Sequence, residues 1–325
     1  MKIIVTGGAG YIGSHIVKDL IDNGNDVTIF DDLSTGKLEN IDSRSIFIKG
    51  NTLNLVDVNS AFNNNFDALI HLAAFKDAND SMLNMVEYSN NNIVGSLNIM
   101  NACIKFGINK VVLSSTAAVY GLPNYLPIDE MHPLNPLNYY GETKKIIENT
   151  LQWYSRCYNL KFAILRYFNA AGYDSKNRIK GLEINPSNLI PIVMETAIGK
   201  RKKIEVFGND FDTKDGTGIR DYIHVTDLSN AHLKSLDYLV NSKKNVIINL
   251  GTSIGYSVLD IIQMTEKISN KKVKYSIVDR RIGDPDSVLA SNQLAKDILE
   301  WEPKHSDLDN LIRSTWVVYN ENQFR

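Results

Sequence analysis

Residues 3–13 read Ile-Ile-Val-Thr-Gly-Gly-Ala-Gly-Tyr-Ile-Gly, a short β-branched run that leads into a glycine-rich turn. Beyond the turn, Ile16, Val17, Leu20 and Ile21 recur at helical spacing. Strand, glycine turn and helix form the context in which a G-x-G-x-x-G sequence binds a dinucleotide, because glycine permits the tight turn and a close approach of the backbone to the pyrophosphate. The free N–H groups at the start of the helix then hold the phosphates. Glycine turns also occur without a ligand, so the residues that follow decide the interpretation.

An acidic residue stands at the expected distance from this turn. A second predicted strand, 26–30, ends on Asp31, where a carboxylate meets the ribose hydroxyls of the adenosine. Because a carboxylate repels a 2′-phosphate, Asp31 predicts NAD rather than NADP as the cofactor. A third predicted strand, 45–49, is followed by Asn51 and Thr52, which are candidate contacts to the edge of the adenine.

Further apolar runs alternate with helical patterns through the first half of the chain. Strands are predicted at 68–72, 110–113 and 161–167, and a long helix is predicted over 82–106. His71 lies within a strand run, so we interpret it as a core residue rather than a ligand. Alternating strands and helices are typical of an α/β fold with a doubly wound parallel sheet, the Rossmann fold.

The second half of the chain has a less regular pattern, as expected for a smaller substrate domain. We therefore predict a Rossmann domain over residues 1–172 and a C-terminal substrate domain over 173–325. A strand near 245–250 is expected to return to the first domain. Trp301 and Trp316 are interpreted as packing residues of the C-terminal domain.

Composition excludes several classes of function. The chain has 325 residues, 22% of them charged and 43% hydrophobic, with a net charge of −2. This balance argues against a general affinity for nucleic acid or membrane surfaces. The two cysteines, Cys103 and Cys157, form neither a disulfide framework nor a metal-ligand spacing. We therefore expect no metal, and we expect the protein to reside in the reducing cytoplasm. The first residues lack the features of a leader peptide.

Tyr140 is the only one of fifteen tyrosines with a lysine, Lys144, four positions later. On a helix these two side chains share a face, and a neighbouring cation favours the phenolate. Upstream, the hydroxyls of 114–116 follow a predicted strand, where ligands of parallel sheets bind. Each feature has a plain alternative, a surface helix for the pair and a turn cap for the hydroxyls. Their combination with a dinucleotide site favours acid–base catalysis by Tyr140.

Taken together, these motifs resemble the extended short-chain dehydrogenase/reductase family, and within it the UDP-hexose 4-epimerases. The resemblance covers essentially the whole chain. The glycine turn and Ser114-Ser115-Thr116 define only the superfamily, whereas the segments at 206–210 and 215–225 point to the epimerases. The segments that carry the resemblance are Thr6-Gly7-Gly8-Ala9-Gly10-Tyr11-Ile12-Gly13, Ser114-Ser115-Thr116, Tyr140-Gly141-Glu142-Thr143-Lys144, Leu165-Arg166-Tyr167-Phe168-Asn169, Val206-Phe207-Gly208-Asn209-Asp210 and Asp215-Gly216-Thr217-Gly218-Ile219-Arg220-Asp221-Tyr222-Ile223-His224-Val225.

The resemblance implies a set of site residues. Tyr140 would be the base, Lys144 its activator, and Thr116 a hydroxyl that many relatives carry as serine. Asn51 stands where the family usually has aspartate, although an amide oxygen can still accept from the adenine amino group. The implied NAD-binding residues are Gly7, Gly10, Tyr11, Ile12, Gly13, Asp31, Asp32, Asn51, Thr52, Leu72, Ala73, Ala74, Lys76, Asn92 and Phe168.

The resemblance also implies a UDP-sugar substrate and a homodimer built on the helices that bear Asn92 and Tyr140. Arginine grips a diphosphate through two parallel hydrogen bonds, which suits Arg220 and Arg281. Val288 stands where the family lines the sugar pocket beside the 2-substituent, and a small residue there would admit N-acetylated sugars. The implied substrate-binding residues are Asn169, Asn188, Leu189, Arg220, Arg281, Asp284 and Val288.

The implied activity is NAD-dependent epimerisation at C4 of a UDP-hexose through a transient 4-keto sugar. A sugar-nucleotide 4,6-dehydratase would carry an Asp-Glu pair after the strand-end hydroxyl, where this chain has Ala117-Ala118. A 4-epimerase for UDP-glucuronate or UDP-xylose, and a regulatory NAD-binding protein without catalysis, remain the alternatives.

Overall fold

A computed structural model describes residues 1–183, 185–242, 244–281 and 283–322. The strands in these residues are β1 Lys2–Thr6, β2 Asp26–Asp31, β3 Ile46–Lys49, β4 Ala68–His71, β5 Lys110–Thr116, β6 Lys161–Tyr167, β7 Asn169–Ala171, β8 Ile204–Phe207, β9 Ile219–His224, β10 Val246–Leu250, β11 Gly255–Ser257, β12 Tyr275–Val278 and β13 Ser287–Val288. The α-helices are α1 Tyr11–Asp22, α2 Leu55–Phe62, α3 Ala78–Leu83, α4 Met85–Tyr88, α5 Gly95–Lys105, α6 Tyr139–Tyr158, α7 Leu189–Ala197, α8 Val225–Ser242, α9 Val258–Ser269, α10 Gln293–Leu299 and α11 Leu308–Asn322.

A parallel sheet of seven strands, counted in the described residues, runs in the order β10-β6-β5-β4-β1-β2-β3. The strand order reverses between β1 and β4, which makes a crevice at their carboxyl ends. The predicted doubly wound α/β fold is thus confirmed, and the glycine turn after β1 opens into this crevice.

Side chains alternate across the sheet and build a separate core on each face. In β1, Ile3 and Val5 pack in the core that contains α1 and α8, whereas Ile4 packs in the core that contains α2, α5 and α6. Because successive side chains of a strand point to opposite faces, a run of apolar residues becomes buried on both sides.

The remainder of the chain forms a second, smaller unit. Its strands β7, β9, β11 and β13 pair in a four-stranded sheet, and β8 pairs with β12. Its core lies among helices α7, α9 and α11. The strand predicted near 245–250 is β10, which pairs in parallel with β6. Helix α8 also packs on the large sheet. The second half of the chain therefore contributes both a helix and the predicted strand to the first unit.

Three predictions of local structure differ from the observed structure. The helix predicted over 82–106 is broken at Asn84 and contains a π-helical turn at Ser89–Val94. The fifth strand continues to Thr116, beyond its predicted end at 113. Trp301 packs in the core of the large sheet and not in the C-terminal unit, because its indole N–H donates to the carbonyl of Asp227 on α8. Trp316 packs in the C-terminal core, as predicted.

No helix in the described part of the chain is long and apolar enough to cross a membrane.

Candidate active site

The glycine turn is held too tightly for any larger residue. Gly7 has φ of 74°, and a Cβ on Gly13 would lie 2.1 Å from the carbonyl oxygen of Gly7. A Cβ on Gly7 would in turn lie 2.7 Å from the nitrogen of Ala73, at the end of the neighbouring strand β4. The turn therefore brings the start of α1 and the end of β4 together with bare backbone between them. This cradle fits the pyrophosphate of a dinucleotide.

Asp31 closes the other side of the turn. Its carboxylate accepts hydrogen bonds from the N–H of Ala9 at 3.0 Å and of Leu33 at 2.8 Å. Burial raises the pKa of this carboxyl above its ordinary value, and the two N–H groups oppose that rise. Asp31 is thus fixed by the glycine loop itself, at the carboxyl end of β2.

A cavity of about 560 Å³ extends from the glycine turn to the tyrosine–lysine pair. Of the predicted NAD-binding residues, Asn51, Asn92 and Phe168 are not among the described residues that line it, and neither are Thr116 and the predicted substrate-binding residues. The sequence-predicted residues that do line the cavity are Gly7, Gly10, Tyr11, Ile12, Gly13, Asp31, Asp32, Thr52, Leu72, Ala73, Ala74, Lys76, Tyr140 and Lys144.

Two of the three predicted NAD-binding residues outside the lining form side-chain hydrogen bonds within the protein. Asn92 is fully buried, and its side chain bonds to both backbone groups of Phe75 and, at 3.1 Å, to the hydroxyl of Thr143. It thereby ties the loop after β4 to helix α6, and its neighbour Asn91 lines the cavity instead. The side-chain oxygen of Asn51 accepts from the N–H of Leu53 at 2.8 Å.

The third, Phe168, is buried against a small cluster around Val119 and Ile128. Val288 packs against the same cluster, so the predicted sugar-pocket residue and this aromatic ring share one wall.

Lys76 is held by the second unit of the molecule. Its ammonium forms an ion pair with Glu183 and lies 6.0 Å from the centre of the Tyr11 ring. The Tyr11 hydroxyl donates to the carbonyl of Gly172, and burial raises the pKa of Tyr11 well above its ordinary value. These contacts join the glycine turn and the loop after β4 to the segment that begins the second unit.

The catalytic candidates meet where β5 ends. The Thr116 and Tyr140 hydroxyls are hydrogen-bonded, and the backbone N–H of Tyr140 donates to the Ser81 hydroxyl at 3.0 Å. The ammonium of Lys144 donates to the carbonyl of Ser114 at 2.9 Å and lies 6.0 Å from the centre of the Tyr140 ring. Asn138 begins the helix by accepting from the N–H of Gly141 through its side chain.

The expected lowering of the Tyr140 pKa by Lys144 is not found in the protein itself. Burial raises the pKa of Tyr140 to about 12, and the hydrogen bond to Thr116 opposes that rise. Burial also lowers the pKa of Lys144 to about 8. The reason is that the ammonium is directed at the carbonyl of Ser114, while desolvation disfavours the charged form of both groups.

His71 is a core residue, as predicted. Its two ring nitrogens lie 2.6 Å from the Thr6 hydroxyl and 2.8 Å from the Ser96 hydroxyl. Burial lowers the pKa of His71 to about 3, so the ring is neutral.

The predicted substrate residues cluster in the second unit. Arg220 forms an ion pair with Asp284 at 3.2 Å, and Val288 lies directly opposite Arg220 where β13 pairs with β9. The Arg281 guanidinium stacks on the Phe207 ring at 3.8 Å. The side chain of Asn169 donates to the carbonyl of Asp221 at 2.9 Å, which places it on the same sheet.

Asn188 and Leu189 mark the start of α7. Asn188 is the exposed N-cap, and its side chain forms no capping hydrogen bond, whereas Leu189 packs into the C-terminal core.

Several residues of the cavity have no signal in the sequence. Glu183, Asn185, Pro186 and Ser187 reach across from the second unit, and Ser187 is hydrogen-bonded to the Asp77 carboxylate. These contacts join residues more than 100 positions apart, so neither periodicity nor a motif indicates them. Gly50 and Ser114, which adjoin or belong to predicted site segments, also line the cavity, and the other lining residues that the sequence did not suggest are Phe30, Ser34, Thr35, Phe75, Asp77, Asp80, Glu87, Tyr88, Asn91 and Tyr167.

Similarity to known proteins covers the entire chain. The pattern of the NAD dependent epimerase/dehydratase family matches residues 3–251. The UDP-glucose 4-epimerase of Bacillus subtilis (strain 168) is 41% identical over an alignment of 333 positions, which covers 99% of this chain and 98% of that protein.

Solved structures agree with this similarity. The crystal structure of UDP-glucose 4-epimerase from Brucella ovis in complex with NAD is 36% identical, covers 98% of both chains and superposes with a TM-score of 0.95. The UDP-Glc/GlcNAc 4-epimerase from Campylobacter jejuni is also 36% identical, with a TM-score of 0.87 and coverage of 98% of this chain and 99% of that one. The chain therefore belongs to the NAD dependent epimerase/dehydratase family.

Proposed function

We propose that the protein catalyses NAD-dependent epimerisation at C4 of a UDP-hexose, interconverting UDP-glucose and UDP-galactose through a transient 4-keto sugar. One observation carries the proposal: Tyr140, hydrogen-bonded to Thr116 and one helical turn from Lys144, opens into the same cavity as the glycine cradle. A proton-transfer group and a dinucleotide site thus share one space.

The residues of the cradle fit NAD. Bare backbone at Gly7 and Gly13 would receive the pyrophosphate, and Asp31 would meet the adenosine ribose. When bound, NAD accepts a hydride from the sugar and returns it, so that the reaction needs no external redox partner. Residues 1–172, with the later elements that pack on the sheet, would form this half of the enzyme, and the rest of 173–325 would bind the UDP-sugar.

Tyr140 is proposed to carry the proton of the sugar O4 in both directions. It must therefore exist as a phenolate in one step and as a phenol in the next. Because one pKa unit corresponds to ~1.4 kcal/mol, a phenol with a pKa of about 12 needs roughly 7 kcal/mol of stabilisation to ionise near pH 7. The Thr116 hydroxyl donates to the phenolate, and the Lys144 ammonium adds its charge in a desolvated site.

Arg220, Arg281 and Asp284 are proposed to hold the diphosphate and ribose of the substrate, with Asn169, Asn188 and Leu189 nearby. The two guanidinium groups are already oriented, one by Asp284 and one by the ring of Phe207. The N-acetyl pair, UDP-N-acetylglucosamine and its galactosamine epimer, is proposed as a second substrate pair, because Val288 is small.

A homodimer is proposed to form on the helices around the catalytic tyrosine. Large apolar side chains lie exposed on α3, α4 and α6, among them Leu83 at 83%, Val86 at 74% and Trp153 at 61%. Exposed apolar patches of this kind mark interaction surfaces. We further propose a role in the galactose metabolism of the cytoplasm, which suits the free thiols of Cys103 and Cys157.

The test is incubation of the purified protein with a panel of UDP-hexoses without added reductant, followed by product analysis. Conversion of UDP-galactose to UDP-glucose is expected, together with NAD in the denatured protein. Turnover only of UDP-glucuronate or UDP-xylose would identify another 4-epimerase. NAD binding without any turnover would indicate a regulatory protein.

A further inference from the structure

Helix α6 presents three polar side chains to strand β5. Tyr140, Lys144 and Glu148 are each four residues apart and therefore share one face. Each meets a different residue of the segment Ser114–Thr116. The Tyr140 hydroxyl bonds to Thr116, the Lys144 ammonium donates to the carbonyl of Ser114, and the Ser115 hydroxyl donates to Glu148. The catalytic pair is thus continued by a carboxylate that sequence reasoning did not single out.

The Glu148 carboxylate is fixed from two sides. It is completely buried, and Arg166 donates to it from Nε at 3.0 Å and from Nη2 at 2.6 Å. Arg166 is itself held by the Tyr120 hydroxyl, which accepts from Nη1 at 3.0 Å. The carboxylate is thus paired with a buried guanidinium and held in place by donors from two strands.

Among the described residues that act on Lys144, Glu148 is the one with a negative charge. On α6 itself, Tyr140 is a neutral phenol, and from β4 His71 is a neutral imidazole. From β6 come Tyr167, a neutral phenol bonded to the Ser114 hydroxyl, and Arg166, whose charge is paired with Glu148. Strand β5 contributes only hydroxyls and carbonyls. Burial disfavours the Lys144 ammonium, and Glu148 opposes that effect.

We propose that Glu148 is a positioning residue for proton transfer, which keeps Lys144 in its ammonium form and fixes strand β5 beneath it. The inference rests on the proposed function, because it concerns the lysine assigned there to the phenolate. Without the carboxylate, Lys144 would lose its proton at a lower pH, and a neutral amine cannot stabilise a phenolate.

The first measurement is a titration that does not depend on turnover. In protein labelled with ¹³C-lysine, the Lys144 signal is identified by its absence from Lys144→Arg and followed from pH 6 to 10. Because a nearby opposite charge shifts a pKa by about one unit or more, Glu148→Gln should lower the midpoint by about one pH unit. The double variant Glu148→Gln/Arg166→Met removes the ion pair as a unit, which is often tolerated in a core, and should show a smaller drop in the same direction, because the positive charge of Arg166 is lost together with the negative charge of Glu148.

The second measurement is kcat against pH. The alkaline limb of each variant's pH profile should move by as much as its Lys144 midpoint, which for Glu148→Gln gives a loss of about fivefold at pH 8 that shrinks toward pH 6. Ser115→Ala is the matched control, since it removes a hydrogen bond of Glu148 but no charge, and it should leave the midpoint in place. Glu148→Asp, which retains the negative charge, should restore the alkaline limb of the kcat profile to its wild-type position.

If Glu148 had only a structural role, the result would be different. Glu148→Gln, the double variant and Ser115→Ala would then lower kcat equally at every pH, with an unchanged Lys144 midpoint, and that outcome overturns the inference. Failure of the wild type to convert any UDP-hexose would instead contradict the proposed function, while the lysine titration would still decide the part played by Glu148.

Discussion

The ammonium of Lys144 is hydrogen-bonded to the main-chain carbonyl of Ser114, at 2.9 Å. The bond joins the middle of the catalytic helix to the end of the strand that supplies Thr116. Lys144 therefore has a structural partner as well as a catalytic one, and substitutions in this region affect both functions.

Tyr140→Phe should retain the fold and NAD binding and lose most of the epimerase activity. The phenol oxygen is the proposed proton carrier, and general acid–base catalysis contributes ~10²- to 10⁴-fold. The check is kcat with UDP-galactose, alongside the NAD content of the purified variant. Activity within a few-fold of wild type would remove Tyr140 from the mechanism.

Lys144→Met should change the pH dependence of stability. The pKa of Lys144 is about 8 in the folded protein, against an ordinary value of 10.5. Below pH 8 both states hold the proton, and the buried ammonium lowers the free energy of unfolding by a constant amount. Between about pH 8 and 10.5 the unfolded state holds more protons, so this contribution makes the free energy of unfolding rise with pH.

Over this pH range the titration of Lys144 raises the free energy of unfolding by roughly 3 kcal/mol in total. Urea unfolding of wild type and Lys144→Met at several pH values isolates it, because the other groups titrate in both proteins. The difference between the two free energies should grow in favour of the wild type above pH 8. Parallel curves would mean that Lys144 titrates normally.

Asp31→Ala should weaken NAD binding and relax the discrimination against NADP. The carboxylate both meets the ribose and repels a 2′-phosphate. Titration of each protein with the two cofactors measures the ratio of affinities. Asp26→Ala is the matched control, because Asp26 is exposed at the opposite end of the same strand. An unchanged preference in Asp31→Ala would refute the assignment.

Val288→Tyr should abolish turnover of the N-acetyl pair and spare UDP-glucose and UDP-galactose. Val288 packs against the cluster that contains Phe168, and overpacking such a wall costs ~1 to 3 kcal/mol even where it is tolerated. Steady-state kinetics on both pairs provides the check. Ser287→Tyr is the control, because neighbouring residues of a strand point to opposite faces. The hypothesis fails if wild type does not turn over the N-acetyl pair.

Val86→Glu combined with Trp153→Glu should convert the proposed dimer to a monomer. The two apolar side chains lie on α4 and α6, and burying a carboxylate in their place opposes association. Sedimentation or light scattering gives the mass in solution. The control is Ile277→Glu, an exposed apolar residue at 51% on β12. A wild type that is monomeric at all concentrations would contradict the dimer.

Local patterns predicted the parts of the site that are built from neighbours in sequence. The glycine turn, Asp31 and the pair Tyr140 and Lys144 each depend on a spacing within one strand, turn or helix. These features are encoded by propensity and periodicity, which the sequence displays directly.

Contacts across the fold could not be predicted in this way. The ion pair of Lys76 with Glu183 joins residues 107 positions apart. The bonds of Asn92 depend on a π-helical turn that no propensity indicates. The pKa of Tyr140 was expected to fall because its lysine neighbour was visible in the sequence, whereas the burial that raises it was not.

The large sheet is completed by residues from the far end of the chain, since β10 pairs with β6 and Trp301 packs beneath them. A ribosome therefore releases the glycine turn first and the last strand of its sheet some 240 residues later. For about the last 80 residues of that interval, after β6 has emerged, one edge of β6 is unpaired while its apolar side chains cover both faces, and such an edge is a template for aggregation. A fragment that ends at residue 172 would leave this edge without its partner strand, and we expect such a fragment to aggregate.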